Sequence, residues 1–157
     1  MADSIHNYHV RMTWTGNDGV GTTSYRSYRR EYELAVEGKA TMRGSADPQY
    51  RGDATLWNPE ELFLASLSAC HQLWYLHLCA EAGVVVRTYE DRADGSMVVH
   101  RDGSGEFVSV LLRPTVTIGA GSDRSRAIAL HDDAAKMCFI ARSVKFPVEH
   151  VPTIAFE

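Results

Sequence analysis

Alternating apolar and polar residues predict that the first part of the chain is β-sheet. Three runs there are rich in Val, Thr and Tyr and partly alternate, as half-buried strands do. The runs are 8–14, 22–28 and 31–37, and the sequences GNDG at 16–19 and EGK at 37–39 predict turns. Residues 44–57 show no period, which predicts a long loop, and loops of that length are more often functional than accidental.

A strong helix signal follows the aperiodic loop. Asn58 is a suitable N-cap, Pro59 suits the first helical position, and Glu61 stands three residues after the cap, as in a capping box. Gly83 can adopt the left-handed conformation that ends a helix. The sequence therefore predicts a helix over 59–82, in which Glu60 also favours the positive helix end.

Nineteen residues of this helix, 62–80, include no Lys, Arg, Asp or Glu. That length approaches a membrane span of about 20 apolar residues, but five polar side chains would be costly in lipid. They are Ser66, Ser68, His71, Gln72 and His77. A helix that is apolar on every side and lies outside a membrane must be buried on every side. We therefore predict that a second subunit covers part of it and that no membrane is involved.

The second half of the chain returns to strands and adds one further helix. Strands are predicted at 84–94, 97–101, 106–118 and 146–156, with a DGS turn at 94–96, a loop at 119–123, a helix at 124–138 and a helical turn at 139–144. Pro114 predicts a sheet edge or a bulge. This order of strands and helices predicts one α+β domain over 1–157.

Composition narrows the class of protein. The 157 residues carry 16 Lys and Arg against 20 Asp and Glu, a net charge of −4, which argues against a nucleic-acid-binding module. Three cysteines without a CxxC pair argue against a disulfide framework or a zinc ribbon. Cys79 is expected to be a packing residue, and His71, His77 and Cys79 lack further ligands at metal-binding spacing, so we expect neither metal nor cofactor. Nothing at the amino terminus directs export, so we expect reduced thiols and a cytoplasmic location.

Cys70 and Cys138 are the residues that could carry chemistry. Taken singly, each cysteine is expected to be a small apolar residue of the core. They become candidates for catalysis only if the fold brings them together. The expected chemistry is then a thiolate that attacks an electrophile and a second thiol that resolves the product as a disulfide. A thiolate in mid-helix gains little from the helix dipole and needs a cation, for which Arg51 and Arg43 are the candidates. His71 faces about 100° away from Cys70, and a core or interface role is favoured for it over catalysis.

The segment NPEELFLASLSACHQLWYLHLCAEAG, with AAKMCFIARSV later in the chain, resembles the OsmC/Ohr family of osmotically inducible and organic hydroperoxide resistance proteins. The resemblance implies antiparallel sheets wrapped around long central helices in an intertwined homodimer. It also implies an antioxidant stress-response enzyme, a thiol-dependent peroxidase that reduces organic hydroperoxides and is regenerated by an external thiol or dithiol. By position, Cys70 is the peroxidatic cysteine, Cys138 the resolving one and Glu60 the family's carboxylate, while Arg51, or Arg43 as the second choice, is its arginine.

Some positions depart from the family pattern. Asn17 stands where Ohr-type members have their arginine, Phe139 replaces the proline that usually follows the resolving cysteine, and His71 and the long loop also differ.

Ten residues of helix rise about 15 Å, so Glu60 cannot touch Cys70 of its own chain. We therefore expect the Glu60–Arg51 pair beside a given Cys70 to come from the other subunit.

The main alternative is a dimer without enzymatic activity that binds a small apolar ligand at the subunit interface. Its support is a group of aromatic residues around the expected cavity: Trp57, Phe63, Trp74, Tyr75 and Phe139. A thioesterase is a third possibility, for which the sequence offers no Ser/His/Asp arrangement.

Overall fold

The computed structural model describes residues 4–157, which contain nine strands and two helices. The strands are β1 (Arg11–Trp14), β2 (Tyr32–Ala35), β3 (Met42–Gly44), β4 (Val86–Asp91), β5 (Asp94–Val99), β6 (Gly105–Leu112), β7 (Pro114–Ile118), β8 (Val148–His150) and β9 (Thr153–Phe156). The helices are α1 (Pro59–Glu81) and α2 (Arg124–Met137). The chain divides into two compact units, one up to Leu62 and one over Phe63–Glu157. The predicted α+β class is confirmed, and the expectation of a single domain stays a prediction.

The first unit contains an antiparallel sheet in the order β1-β2-β3. The strand predicted at 22–28 is wrong, because local side-chain hydrogen bonds hold this segment in turns. The Ser27 hydroxyl accepts a hydrogen bond from the Ser24 N–H at 3.0 Å, and the Ser24 hydroxyl accepts one from the Arg26 N–H at 3.3 Å. These side chains satisfy part of the segment's backbone without a strand partner.

The aperiodic segment 44–57 is a loop with a short internal turn. Gly44 ends strand β3 and forms an isolated bridge to Trp57, so the two ends of the loop are close together. Inside it, Asp47 accepts a hydrogen bond from the Gln49 N–H at 2.7 Å and caps a 3-10 turn at Pro48–Tyr50.

The predicted start and end of helix α1 are confirmed. Asn58 Oδ1 accepts from the Glu61 N–H at 2.8 Å, and Glu61 Oε2 accepts in return from the Asn58 N–H at 3.2 Å, which is a complete capping box. Gly83 follows the last turn with φ 71°. Four buried residues at a spacing of four face the core, and four exposed residues follow the opposite side. The buried ones are Leu67, His71, Tyr75 and Cys79, and the exposed ones are Ala65, Ala69, Leu73 and His77.

The second unit contains two mixed sheets, ordered β4-β7-β9 and β5-β6-β8. The single strand predicted over 106–118 is two strands in different sheets, because Pro114 begins β7 after Leu112 has ended β6. The strand predicted over 146–156 is likewise divided into β8 and β9, which pair in parallel with β6 and β7. The predicted turn at 94–96 is wrong, since β5 begins at Asp94 and pairs with β6 from that residue.

The core of the second unit lies between the helices and these sheets. One cluster of buried residues joins α1 and α2 to the sheet β4-β7-β9, and its largest fully buried side chain is Tyr75. A smaller cluster joins α1 to β6 through Leu67, Val110 and Leu112. Both helices are thereby fixed against a sheet, which positions the side chains at their junction.

Candidate active site

The fold brings Cys70 and Cys138 next to each other, although 67 residues separate them in the sequence. Cys70 is half-buried in the middle of α1, and Cys138 lies buried at the end of α2. Burial, and then a hydrogen bond with the Cys70 side chain, raises the pKa of Cys138 to about 11. Both are free thiols, so the site has the composition of a reduced dithiol.

Local backbone geometry holds the Cys138 sulfur in place. The Cys138 N–H still donates to the Ala134 carbonyl at 2.9 Å, but its extended ψ of 110° ends helix α2. A 3-10 turn over Ala141–Ser143 follows, and the Ala141 N–H points at Cys138 Sγ from 3.4 Å. A backbone donor at this distance favours the thiolate over the thiol, and this hydrogen bond opposes part of the rise in the Cys138 pKa.

An apolar cavity of about 360 Å³ opens beside Cys70. Its walls are formed by Cys70, Leu73, Trp74, His77 and Phe139. The Trp74 ring meets Phe139 edge-on at 5.5 Å between centroids and His77 at 5.7 Å. The lining includes no Lys, Arg, Asp or Glu, so the cavity suits a small molecule with an apolar body.

Cys79 belongs to the core and not to this site. It is 1% exposed and packs in the cluster around Tyr75. Burial raises the pKa of its thiol, which disfavours the reactive thiolate.

Glu60 lies in the first turn of α1, in the first unit of the chain. Its negative charge, after burial, helps to raise the pKa of the Tyr32 hydroxyl, which places the two side chains near each other. Tyr32 also donates a long hydrogen bond of 3.5 Å to the Trp57 carbonyl. Glu60 therefore stands beside strand β2 and the end of the 44–57 loop.

Both candidate arginines belong to the same unit as Glu60. Hydrogen bonds from Thr55, and then the charge of Arg43, lower the pKa of Asp53, so the Arg43 side chain lies towards the loop. Arg51 is exposed and adopts φ 67°, the one non-glycine residue with positive φ within residues 4–157. The approach of either arginine to Cys70 stays a prediction.

Three histidines that are far apart in the sequence lie close together in the fold, which the sequence did not predict. His71 Nε2 lies 3.0 Å from His131 Nδ1, and both rings are buried. The His150 ring lies 5.4 Å from that of His71, and its Nε2 is 2.9 Å from Asp132 Oδ1. The burial of His71 could be predicted from its four-residue spacing with Tyr75 on one face of α1. No neighbouring residues predict that His131 and His150 lie beside it. Over residues 4–157, no three His, Cys, Asp or Glu side chains have the geometry to bind a metal ion.

Comparison with known proteins agrees with this fold. An OsmC-like protein from Vibrio cholerae of unknown function has a TM-score of 0.86 and 28% identity, and the match covers 95% of this chain and 100% of that one. An organic hydroperoxide resistance protein OsmC from Legionella pneumophila has a TM-score of 0.68 at 15% identity, with 98% and 99% covered. The organic hydroperoxide resistance protein OhrB of Bacillus subtilis has a TM-score of 0.56 at 18% identity, with 96% and 98% covered.

The fold is thus that of the OsmC-like proteins. A family model described as OsmC-like protein matches residues 52–151, and the chain belongs to this family. No curated protein sequence matches the chain. Within residues 4–157, neither helix has both the length and the hydropathy needed to span a membrane.

Proposed function

We propose that this protein is a thiol-dependent peroxidase that reduces organic hydroperoxides, with Cys70 as the peroxidatic and Cys138 as the resolving cysteine. The observation that carries the proposal is the pair of adjoining free thiols, one of which opens on an apolar cavity. Two structural neighbours are organic hydroperoxide resistance proteins, and the family they share with this chain suggests a redox role in peroxide resistance.

The chemistry has three steps. The Cys70 thiolate attacks the distal oxygen of the hydroperoxide, the O–O bond breaks, and the alcohol leaves with a proton while Cys70 becomes a sulfenic acid. Cys138 then attacks the Cys70 sulfur, the S–O bond breaks, and water leaves as the disulfide forms. An external thiol or dithiol reduces this disulfide and is itself oxidised. The cavity would hold the organic part of the substrate.

The proposal also includes a homodimer and an activating cation. Exposed apolar residues follow one side of α1, where Leu73 is 65% exposed, and a second subunit would cover this side. Because Glu60 is ten residues from Cys70 along α1, we propose that Glu60 and Arg51, with Arg43 as the second choice, act on the Cys70 of the other subunit. The guanidinium would lower the pKa of the Cys70 thiol and orient the peroxide.

Cysteine variants test the assignment directly. Purified protein is given cumene hydroperoxide, with dithiothreitol as reductant, and the peroxide remaining is measured. Cys70→Ser should abolish turnover. Cys138→Ser, given the hydroperoxide without dithiothreitol, should consume one equivalent and leave Cys70 as a sulfenic acid that dimedone traps, whereas the wild-type protein should form the disulfide. Cys79→Ala is the matched control and should keep its turnover. Turnover that survives Cys70→Ser would exclude the proposal.

The apolar cavity also favours a second candidate, a dimer without enzymatic activity that binds a small apolar ligand. The same experiment separates the two functions. A ligand-binding protein would leave Cys70 reduced in the presence of hydroperoxide and inert to alkylation, whereas a peroxidase requires Cys70 to react with both reagents at neutral pH.

A further inference from the structure

Three histidines from three elements lie together, and two of them, His71 and His150, share a void with Cys138. His71 comes from α1, His131 from α2 and His150 from β8, and their rings are between 5.3 and 6.1 Å apart. The proposed function assigns none of them a role. A cluster of imidazoles beside a redox thiol offers proton acceptors that a purely apolar core would lack.

A small void of about 30 Å³ connects this cluster with the thiol. Cys138, His71 and His150 line the void, and its other lining residues are apolar. A void of this volume has room for one water molecule, and a buried water needs at least two polar partners. Cys138, His71 and His150 are polar neighbours of this kind, so one water can join the thiol to an imidazole.

His150 is the histidine of this cluster that can exchange a proton with solvent. Its Nε2 lies 2.9 Å from Asp132 Oδ1, and the side chain of Asp132 is 71% exposed. Burial lowers the pKa of His71 to about 4 and that of His131 to about 3, so both are neutral and weakly basic at pH 7. The titratable groups that contact His150 or share its void are Asp132, these two neutral imidazoles and Cys138.

A proton acceptor is needed because Cys138 attacks as a thiolate. Burial raises the pKa of Cys138 to about 11, so the thiol form predominates at pH 7. Cys70 cannot act as the base at this stage, since its sulfur has become the sulfenic acid. The Ala141 N–H stabilises the Cys138 thiolate but accepts no proton.

We propose that His150, oriented by Asp132, accepts the proton of Cys138 through one water in the void when the disulfide forms. The thiolate then attacks the Cys70 sulfur, the S–O bond breaks, and the departing hydroxide takes up the proton and leaves as water. His150 is a positioning and proton-relay residue in this step, and it takes no part in the attack on the hydroperoxide. This inference rests on the proposed function of Cys70 and Cys138.

Single-turnover kinetics test the relay. Reduced protein is mixed with one equivalent of cumene hydroperoxide, samples are quenched with dimedone and N-ethylmaleimide, and mass spectrometry counts sulfenic acid and disulfide. At pH 7, His150→Gln should slow disulfide formation by about 100-fold, the lower end of the usual range for loss of a general base, and leave Cys70 oxidation unchanged. The difference should shrink towards pH 10, as hydroxide deprotonates Cys138 directly. Asp132→Asn should give a smaller defect with the same pH profile, and His100→Gln, at an exposed turn, should behave as wild type.

Two other results for His150→Gln would exclude the relay. Disulfide formation at the wild-type rate in His150→Gln would overturn it and leave the peroxidase proposal intact. A defect that is equal at every pH would show that His150 only packs against the site. If His150→Gln does not fold, the Asp132→Asn profile decides in the same way. Failure of hydroperoxide to oxidise Cys70 in the wild-type protein would overturn the proposed function and the relay together.

Discussion

Lowering the pH should destabilise the fold through the two buried histidines. The folded-state pKa of His71 is about 4 and that of His131 about 3, each below the ordinary value of 6.5, because burial disfavours the imidazolium. The unfolded state therefore binds more protons than the folded state as the pH falls below about 6.5. The full stability is present above that pH and is lost progressively towards pH 4.

The size of the effect follows from proton linkage. At about pH 5.5 an unfolded imidazole is protonated about ten to one, while a buried one stays neutral, which costs about 1.4 kcal/mol of stability for each histidine. For His71 and His131 together the free energy of unfolding should fall by about 3 kcal/mol between pH 7.5 and pH 5.5. Both side chains are almost fully buried, so solvent screening reduces this value little.

Urea denaturation at the two pH values, followed by far-UV circular dichroism at a fixed protein concentration, measures this loss. His131→Gln should remove about half of the pH-dependent part, because one titrating imidazole is gone. His100→Gln, at an exposed turn, should leave it unchanged. A wild-type free energy of unfolding that is the same at both pH values would refute the assignment of two neutral buried imidazoles.

Three further predictions concern the helix cap, the cavity and the cation. Asn58→Ala removes one half of the capping box and should lower the free energy of unfolding by about 1 kcal/mol in the same urea assay. As a control, substitution of an exposed serine by alanine should leave the free energy of unfolding unchanged. Phe139→Ala opens the cavity wall and should raise KM for cumene hydroperoxide without changing that for hydrogen peroxide, so an equal change in both would contradict the role of the cavity. Arg51→Ala should slow Cys70 oxidation more than Arg43→Ala does, measured as the rate of dimedone labelling; the reverse order would assign the cation role to Arg43.

Features encoded by neighbouring residues could be predicted from the sequence. Asn58 and Glu61 are three residues apart, so their reciprocal hydrogen bonds depend on one turn of backbone, and the structure contains them as expected. Gly83 ends the helix for an equally local reason. The proximity of Cys70 and Cys138 is different, because it came from the family resemblance and not from their spacing.

Features that depend on competing local hydrogen bonds, or on how the sheets pack, were not predicted correctly. The segment 22–28 has the composition of a strand, but the side chains of Ser24 and Ser27 form local hydrogen bonds with its backbone. Pro114 was read as an irregularity within one strand, whereas it begins a strand of a second sheet. Because proline has no backbone N–H, Pro114 predicts only that strand pairing is interrupted at that residue. Which sheet the chain joins next depends on how the two sheets pack.

The adjacency of Cys70 and His71 links the two halves of the site. Successive residues of a helix point about 100° apart, so the thiol opens on the apolar cavity while the imidazole is buried against the void that it shares with Cys138. In the proposed mechanism, Cys138 would attack the oxidised Cys70 sulfur, while His71 helps to enclose the void through which His150 would accept the proton. An apolar residue at position 71 would leave Cys70 in place but remove one polar partner of a water in that void, so the sequence Cys-His suits a resolving step that also moves a proton.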